Sequence, residues 1–426
     1  MNDESVRDVC ETECCIVGGG PAGVVLSLLL ARRGVEVVLL ESHQDFDREF
    51  RGDTLHPAVL EIMDEIGMAS RLHKLPHVKV YGPVLRTSRG LFRPFDLRRL
   101  KTKFPYIMFM HQPLFLECLA AEARKYRNFR LIMGADVRQL VEEDGVVRGV
   151  RYRAGDGWHE IRAVLTVGAD GRFSRMRHLA DIEPIPTSQT LELLQFRLPV
   201  LPDDPMVAKL KELDWVANDG SATDAESPVF PMAGPGRLVP AFKRPDHWQL
   251  WYFFPPGQYK PLRDAGLAAL RDSILELEPA FEAHFEHLKD WEQITMLSVA
   301  SSRCRRWHKP GLLLIGDAAH AMTPAAGAGI KYAIEDAVVA ANILAEPLKS
   351  GHVEQKHLEA VQRRREWPTR LIQLLSAFAV KRILGILSSN RPPRLPLFAR
   401  LLLRTPIVRI LVPRFVGIGF RQVHVE

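Results

Sequence analysis

The sequence predicts an α/β fold with three parts: a domain built on a parallel βαβ unit, an inserted antiparallel β-sheet domain, and a helical C-terminal segment. A strand, a helix and a second strand follow one another within about the first 40 residues. Residues 181–295 instead show apolar runs interrupted by proline and glycine, which is typical of an antiparallel sheet. Beyond residue 360 the chain becomes basic and rich in proline. Two or three lobes are expected, because one core seldom serves more than about 300 residues.

The individual elements are predicted from their apolar spacing. Residues 13–17 form a short buried strand, Pro21 to Arg33 a helix that Gly34 ends, and Val35–Leu40 a second strand. The same reasoning predicts a helix that ends at Gly67, a helix near 113–126, strands near 129–140 and 146–153, a buried strand at 312–315, and a helix near 329–349.

These elements group into discontinuous domains. We expect one domain from residues 1–78, 107–180 and 296–345, a sheet domain from 79–106 and 181–295, and a C-terminal basic helical segment from 346–426. The first domain therefore needs both ends of the chain.

Composition narrows the class of protein. A hydrophobic fraction of 46% and a charged fraction of 25% are those of a globular protein. The net charge of +6 resides in the tail, because residues 361–426 carry 13 Lys and Arg against two acids. A nucleic-acid-binding function is therefore disfavoured. The five cysteines form no CxxC pair, and the polar, acidic N-terminus predicts no secretory signal, so we expect a cytoplasmic protein.

A glycine-rich loop follows the first strand. Gly18 permits the tight turn, Gly20 permits close approach of a pyrophosphate, and Gly23 permits the helix to pack on the strand. The helix that starts at Pro21 and Ala22 then offers its free N–H groups to phosphate. Glu41 ends the second strand, 21 residues after Gly20, where a carboxylate accepts hydrogen bonds from ribose. The pattern predicts a dinucleotide site but does not choose between NAD and FAD.

Later segments make that choice through a resemblance. Gly316-Asp317, after a buried strand, resembles the Gly-Asp motif of FAD-dependent aromatic hydroxylases, and Gly168–Gly171 resembles their Asp-Gly motif. The segments Arg51–Leu55 and His111–Leu114 resemble two further family segments. In this order the chain resembles the para-hydroxybenzoate hydroxylase-like, single-component (class A) flavoprotein monooxygenases over about residues 12–345. The resemblance implies a Rossmann-like, glutathione-reductase-type FAD domain.

The same resemblance implies roles for individual residues. Asp317 is expected at a ribityl hydroxyl or at a water near the pyrophosphate, Asp170 beside the cofactor and the NAD(P)H approach, Arg51 at the pyrophosphate and Gln112 at the ribityl chain. The alternatives are strand-end turn aspartates, a surface arginine and a polar residue at a helix N-terminus. His320 is expected to be structural, although a catalytic base is the alternative.

The loop from Pro324 to Gly329 is expected to lie under the isoalloxazine ring. Gly327 and Gly329 allow close approach of the backbone, and the N–H of Ile330 opens a helix that favours negative charge on reduced flavin. Lys331 stands where the family usually has asparagine. It either faces the flavin and raises its reduction potential, or lies on a helix surface. No catalytic side chain is singled out; Pro324 and Lys331 are the candidates.

By resemblance, the function is an FAD-dependent monooxygenase that uses NADH or NADPH and O₂ and acts through a flavin C4a-hydroperoxide. Its substrate is expected to be an electron-rich aromatic, quinoid or lipophilic secondary metabolite that is hydroxylated or epoxidised. The open alternatives are a flavin-dependent reductase of the same fold that acts on a prenyl or quinone substrate, and a non-catalytic FAD-binding protein. No zinc-type ligand spacing is present, so no metal is expected.

The basic tail leaves two interpretations open. Residues 395–412 are apolar except for Arg400, Arg404, Thr405 and Arg409, and such segments can lie on an anionic membrane surface. The other interpretation is a docked helical segment with exposed arginines. The oligomeric state is not predicted.

Overall fold

The computed structural model describes residues 6–47, 52–82, 85–87, 90–92, 95–212, 229–244, 246–324, 327–389 and 405–426. Its strands in chain order are β1 Val6–Val17, β2 Val37–Glu41, β3 Thr54–Leu55, β4 His77–Val80, β5 Leu85–Thr87, β6 Gly90–Phe92, β7 Ile107–Met110, β8 Phe129–Met133, β9 Asp136–Glu143, β10 Val146–Ala154, β11 Gly157–Gly168, β12 Pro184–Pro186, β13 Leu191–Pro199, β14 Val229–Gly234, β15 Arg237–Lys243, β16 His247–Phe254, β17 Thr295–Val299, β18 Ser302–Cys304, β19 His308–Lys309 and β20 Leu312–Leu314.

The helices in chain order are α1 Pro21–Arg32, α2 Pro57–Glu65, α3 Ala69–Leu72, α4 Gln112–Ala123, α5 Arg175–Leu179, α6 Pro205–Glu212, α7 Tyr259–Asp264, α8 Gly266–Leu275, α9 Gly329–Lys349, α10 Gln355–Leu387 and α11 Pro406–Gly417. Short 3-10 helices cover Leu97–Arg99, Pro279–His287, Trp291–Gln293 and Gly316–Ala318.

The larger sheet has the strand order β19-β20-β11-β1-β2-β8, with β10 and β9 added as antiparallel strands beside β11. The central strands are parallel, and their register pairs Val17 with both Gly168 and Leu40, and Gly168 with Leu314. The carboxyl ends of β1, β2, β11 and β20 consequently lie at one edge of the sheet. The predicted βαβ unit is confirmed as β1-α1-β2. Helices α1, α4 and α9 share one hydrophobic core with this sheet.

The second sheet is antiparallel, with the order β14-β15-β16-β13-β17. In β16 the side chains alternate as the pleat requires. Trp248, Tyr252 and Phe254 enter a core with the helices of residues 259–287, whereas Phe253 joins a different cluster with α10 on the other face. The fold is therefore mixed α/β, as predicted.

The C-terminal residues 405–426 pack against earlier parts of the chain. Gly417 lies where an added Cβ would come within 2.6 Å of Leu100. At the C-terminus, the Val425 N–H donates to Glu65 at 2.8 Å, and Asn342 donates to the His424 carbonyl at 2.8 Å. In the described part of the chain no helix is long and apolar enough to cross a membrane. Residues 390–404, which include most of the predicted apolar stretch, lie outside the described residues.

A buried ionic network joins α9 to α10. Asp336 accepts hydrogen bonds from the Arg365 Nε at 2.7 Å, from His320 Nε2 at 2.6 Å and from the Gly316 N–H at 3.0 Å, and Glu335 accepts from Arg365 Nη2 at 2.6 Å. Burial alone raises the pKa of Asp336, but His320 and Arg365 together hold it below its ordinary value. Because Asp336 also binds Gly316, the network ties the Gly-Asp motif to both helices.

Replacing Arg365 should destabilise the fold strongly. Arg365→Met leaves the buried Glu335 without its cation, and breaking such a network costs about 3–5 kcal/mol. Arg365→Lys should give a smaller loss, since a lysine keeps the charge but cannot reach both carboxylates in the same geometry. Thermal and urea unfolding measure both effects. The control is Arg364→Met, because the side chain of Arg364 is 40% exposed and pairs only weakly, at 3.8 Å. Equal stability of the Arg364→Met and Arg365→Met variants would contradict the assigned role.

Candidate active site

Three loops that are remote in sequence meet at the carboxyl edge of the parallel sheet. Gly18, with φ +109°, lies close to the turn that follows β11. A Cβ added to Gly18 would be 2.5 Å from the Ala169 carbonyl oxygen. Gly23 packs against Gly18, since its Cβ would be 2.0 Å from the Gly18 oxygen. Both positions therefore admit only glycine. Val17, Ala169 and Asp317 lie along the same cavity of about 700 Å³.

Gly20 differs from the other loop glycines. Among the described residues other than its chain neighbours, no atom lies within 4 Å of the Cβ that Gly20 lacks, so its backbone faces open space in the cavity. It is also the N-cap of α1, and no side chain caps that helix or places an acid in its first turn. The free N–H groups at this helix start can therefore donate hydrogen bonds to an anionic ligand such as pyrophosphate.

Glu41 is buried beside this loop. Its carboxylate accepts hydrogen bonds from the Gly19 N–H at 2.7 Å and from the His43 N–H at 2.9 Å. These bonds fix the glycine loop to the end of β2, and Glu41 still lines the cavity. The Ser42 hydroxyl also donates to Glu41 Oε1 at 3.1 Å, and the His43 Nδ1 lies 3.0 Å from the same oxygen.

Asp170 holds the start of α5. It accepts from the Ser174 hydroxyl at 2.5 Å and from the Met176 N–H at 2.9 Å. Burial raises its pKa, although these hydrogen bonds oppose the shift. Arg177 then joins the two Asp-bearing turns, because its guanidinium donates to the Arg172 and Ala318 carbonyls, both at 2.9 Å. Asp170 and Asp317 both line the cavity.

The described residues of the predicted flavin loop also lie at this cavity, whereas residues 325 and 326 lie outside the described residues. Pro324, Gly327, Gly329 and Ile330 line the cavity, and α9 begins at Gly329. Thr54 donates to the Gly327 carbonyl at 3.1 Å. Arg51 lies outside the described residues.

Gln112, which was predicted at the ribityl chain, makes its hydrogen bond to the backbone of Gly52. Gln112 donates from Nε2 to the Gly52 carbonyl at 2.9 Å and lines the cavity. His320 lies outside it, buried against the Trp307 ring and bonded to Asp336.

The alternative that placed Lys331 on a helix surface was wrong, because the residue is only 2% exposed. Lys331 follows Ile330, which lines the cavity, but does not line it itself, and a position facing the flavin stays a prediction. Its ammonium lies beside the tail, where a Cβ added to Gly419 would be 2.4 Å from Nζ. Burial lowers the pKa of Lys331, an effect that Arg365 adds to and Glu335 opposes.

His56 connects the tail to the flavin loop. Its ring nitrogens lie 2.8 Å from two carbonyl oxygens, those of Val416 and Gly327. Two acceptors favour a doubly protonated ring, but burial and the nearby Lys331 lower its pKa to about 4. Val416 also lines the cavity, so the tail forms part of its wall. Neither His56 nor Val416 carries a sequence signal, because their meeting depends on contacts about 360 residues apart.

The far end of the cavity is formed by the antiparallel sheet. Leu238, Phe242, Trp251 and Phe253 line it together with Ile383 of α10. Only the outward half of the aromatic run in β16 takes part, as the alternation of strand faces predicts. This wall is apolar and aromatic.

One polar group interrupts the aromatic wall. Arg244 donates from Nη2 to Asp53 Oδ2 at 2.9 Å and to Gln249 Oε1 at 2.9 Å. All three residues line the cavity. Sequence reasoning did not single out Arg244 or Gln249, which carry no motif. Asp53 was visible as part of the Arg51–Leu55 segment but received no role.

The cavity fits FAD. It runs from a glycine cradle and an uncapped helix N-terminus, past Glu41 and Asp317, to the start of a second helix at Gly329. The distant motifs that face one another require a cofactor with two ends, and Gly20 leaves room for its pyrophosphate. Fold and site together define a flavin-dependent oxidoreductase.

Comparison with known proteins gives the family. The chain belongs to the family described as FAD binding domain, whose model matches residues 11–374. 6-Methylpretetramide 4-monooxygenase of Streptomyces rimosus is 31% identical over 408 residues, which cover 96% of this chain and 92% of that protein. Rifampicin monooxygenase of Streptomyces venezuelae is 27% identical over 76% of this chain and 61% of its own length.

The fold has solved counterparts. PqsL of Pseudomonas aeruginosa in complex with 2-aminobenzoylacetate superposes with a TM-score of 0.69 at 19% identity, covering 89% of this chain and all of that one. The predicted class A flavoprotein monooxygenase family is thus confirmed. The protein is an FAD-dependent monooxygenase, a class that takes its electrons from NAD(P)H.

Two glycine substitutions should separate cofactor binding from folding. Gly20→Ala should leave the stability of the FAD-free protein unchanged, since nothing meets the new methyl group, while FAD affinity falls at least about tenfold because the pyrophosphate can no longer approach. Gly23→Ala should destabilise the FAD-free protein through its collision with Gly18. Thermal unfolding of the apoprotein and FAD titration measure the two quantities. Unchanged FAD affinity of the Gly20 variant would place the pyrophosphate elsewhere.

His56 should make stability depend on pH. The unfolded chain binds a proton at His56 below about pH 6.5, whereas the folded protein does so only below about 4. The contribution of His56 to the free energy of unfolding is therefore fully present above pH 6.5. It falls by about 3 kcal/mol as the pH drops to 4, and it does not change further below pH 4. Urea unfolding of His56→Gln should lack this slope, and His352→Gln, whose side chain is 78% exposed, should retain it. A slope of equal size in the His56 variant would refute the assignment.

Proposed function

We propose that the enzyme hydroxylates a polycyclic aromatic substrate of the polyketide type. The observation that carries this proposal is the aromatic wall of Phe242, Trp251 and Phe253, which lines the same cavity as the flavin loop. Flat apolar rings stack favourably on such a surface, with about 0.5–1.5 kcal/mol for each aromatic pair beyond burial. The relative at 31% identity, which is named for the aromatic polyketide 6-methylpretetramide, supports the same substrate class.

The roles of the cofactor-binding residues form part of the proposal. The loop Gly18–Gly23, including Pro21 and Ala22, would hold the pyrophosphate with Arg51. Glu41 would bind the adenosine ribose, Asp317 the ribityl chain, and Gln112 would support the same chain through Gly52. Pro324, Gly327, Gly329 and Ile330 would face the isoalloxazine ring. When bound, reduced FAD supplies O₂ with two electrons and delivers an electrophilic oxygen atom.

The protein orients the substrate and excludes water from the reacting ring. The apolar wall excludes water from the reacting ring, and the start of α9 at Gly329 favours negative charge on the flavin.

We further propose a division of labour among three parts of the chain. Residues 1–78, 107–180 and 296–345 would bind FAD, and residues 79–106 and 181–295 would bind the substrate. Ile383 and Val416 at the cavity support a share of the site for the segment 346–426 as well.

Peripheral membrane contact and a cytoplasmic location stay predictions. The surface that would meet a membrane is α10, where Leu374 and Phe378 are exposed near Lys381 and Arg382. The tail of residues 405–426 is engaged with the protein body, which favours the docked interpretation for that segment.

Substrate-stimulated turnover tests the proposed function. FAD-loaded enzyme should oxidise NADH or NADPH faster with hydroxylated tricyclic and tetracyclic aromatics than with prenylated quinones, and mass spectrometry should find a product with one added oxygen atom. Trp251→Leu should raise KM at least about fivefold through lost stacking. Tyr252→Phe should not, because Tyr252 points to the opposite face of the sheet.

Three outcomes would overturn the proposal. Product without added oxygen would indicate a reductase, absence of any stimulation would indicate a binding protein, and preference for linear prenyl substrates would replace the substrate class.

A further inference from the structure

Arg244 and Asp53 join the two halves of the cavity. Arg244 follows the last residue of β15 in the inserted sheet, and Asp53 precedes β3, in the first domain. Their salt bridge of 2.9 Å connects segments that are 191 residues apart. The carbonyl of Asp53 is itself held by the Met110 N–H at 2.9 Å. The pair is therefore fixed from both sides.

One nitrogen of the Arg244 guanidinium, Nη1, has no hydrogen-bond acceptor among the described residues. Its Nε and Nη2 bind Gln249 and Asp53, but its Nη1 makes no hydrogen bond in the described part of the chain. Arg244 is 7% exposed, and what is exposed borders the cavity. The guanidinium also lies 4.5 Å from the centre of the Phe109 ring. Since buried polar groups are nearly always paired, two N–H groups here indicate an acceptor on the ligand.

Charge around the pair favours proton movement. Burial raises the pKa of Asp53, although Arg244, His111 and Arg197 all oppose the rise. Burial lowers the pKa of Arg244 to about 10, which Asp53 counteracts and Arg197 reinforces. Asp53 is thus a stronger base than an exposed aspartate, and it lies beside a cation that can hold an anion.

We propose that Asp53 and Arg244 ionise an acidic hydroxyl of the substrate, a phenol or the enol of a 1,3-dicarbonyl unit. The substrate O–H bond breaks, its proton forms an O–H bond on the Asp53 carboxylate, and the electron pair stays on the substrate oxygen, which Arg244 Nη1 then binds. No oxidant or reductant takes part. The inference rests on the proposed function and narrows its substrate class to aromatics with an acidic oxygen.

The ionised oxygen has a direct use. It raises electron density at the ring carbons ortho and para to it, and these carbons are the ones that an electrophilic oxygen attacks. Once Asp53 is protonated it is neutral, and the positive charge of Arg244 then stabilises the anionic oxygen of the substrate. Arg244 and Asp53 therefore act as one unit, with the cation held in place by Gln249.

Alizarin, a dihydroxyanthraquinone whose anion absorbs at longer wavelength than the neutral form, probes this step without turnover. It is titrated with pH in the presence of oxidised FAD-loaded enzyme, with no NAD(P)H added. The wild-type protein should lower the pKa of the bound dye by at least about one unit. Arg244→Gln should abolish this shift and weaken binding of the anion at least about tenfold.

Asp53→Asn should keep the binding of the dye anion and the pKa shift of the dye that Arg244→Gln loses. The amide mimics protonated Asp53, so Arg244 should bind the dye anion at least as tightly as in wild type and shift its pKa at least as far. Hydroxylation below the pKa of the free substrate should nevertheless slow at least about tenfold, because the proton acceptor is missing. A purely structural ion pair would make both variants lose dye binding together, which would overturn the inference.

Arg197→Gln is the matched control. Arg197 is exposed on β13 of the same sheet and does not line the cavity, and its replacement removes the same charge. It should change the dye pKa by less than about half a unit, since exposed charges are screened. FAD content and thermal unfolding confirm that each variant is folded.

Two further results distinguish this inference from the proposed function. Wild-type enzyme that binds the neutral dye as well as the anion, or does not bind the dye, overturns the inference even when hydroxylated products form. If the wild-type enzyme lowers the pKa of the dye, Arg244→Gln abolishes this shift and Asp53→Asn keeps it, the inference is upheld. This holds even when the turnover assay selects other aromatics.

Discussion

The register of the parallel strands is the constraint on which the site depends. Val17 is level with both Gly168 and Leu40, and Gly168 is level with Leu314. Parallel strands end on the same side, so segments separated by about 300 residues leave the sheet side by side. A shift of one residue would turn the side chains of a strand to the other face and separate the turns that now form one cradle.

The Gly-Asp motif depends on a second set of contacts, the buried ionic network of α9 and α10. Asp336 binds the first residue of the Gly-Asp motif while Arg365 holds α10 against α9. Buried charges are costly unless they are paired, so the bonds of Arg365 to Asp336 and Glu335 favour one position of α10 on α9. The tail reaches the Pro324–Gly329 loop through His56, whose ring lies between the carbonyls of Val416 and Gly327.

The polar cluster of Arg244, Asp53 and Gln249 at the aromatic end of the cavity restricts, in the proposed reaction, which substrates bind. An aromatic wall alone would accept any flat apolar molecule. The guanidinium of Arg244 restricts this to molecules that present an oxygen acceptor, since leaving its donors unpaired costs about 1–3 kcal/mol. That requirement arises where the inserted sheet meets the first domain, so neither part specifies it alone.

The sequence by itself determined the βαβ unit, the glycine cradle, the mixed α/β class and the family, because these depend on local spacing and on motifs of a few residues. Several of the motif residues that it singled out, among them Gly18, Glu41 and Ile330, line the cavity. Only the tertiary structure decided that Lys331 lies beside the tail, that Val416 lines the cavity and that Arg244 meets Asp53. The reason is physical: periodicity reports which face of an element is buried, but long-range packing determines what that face meets.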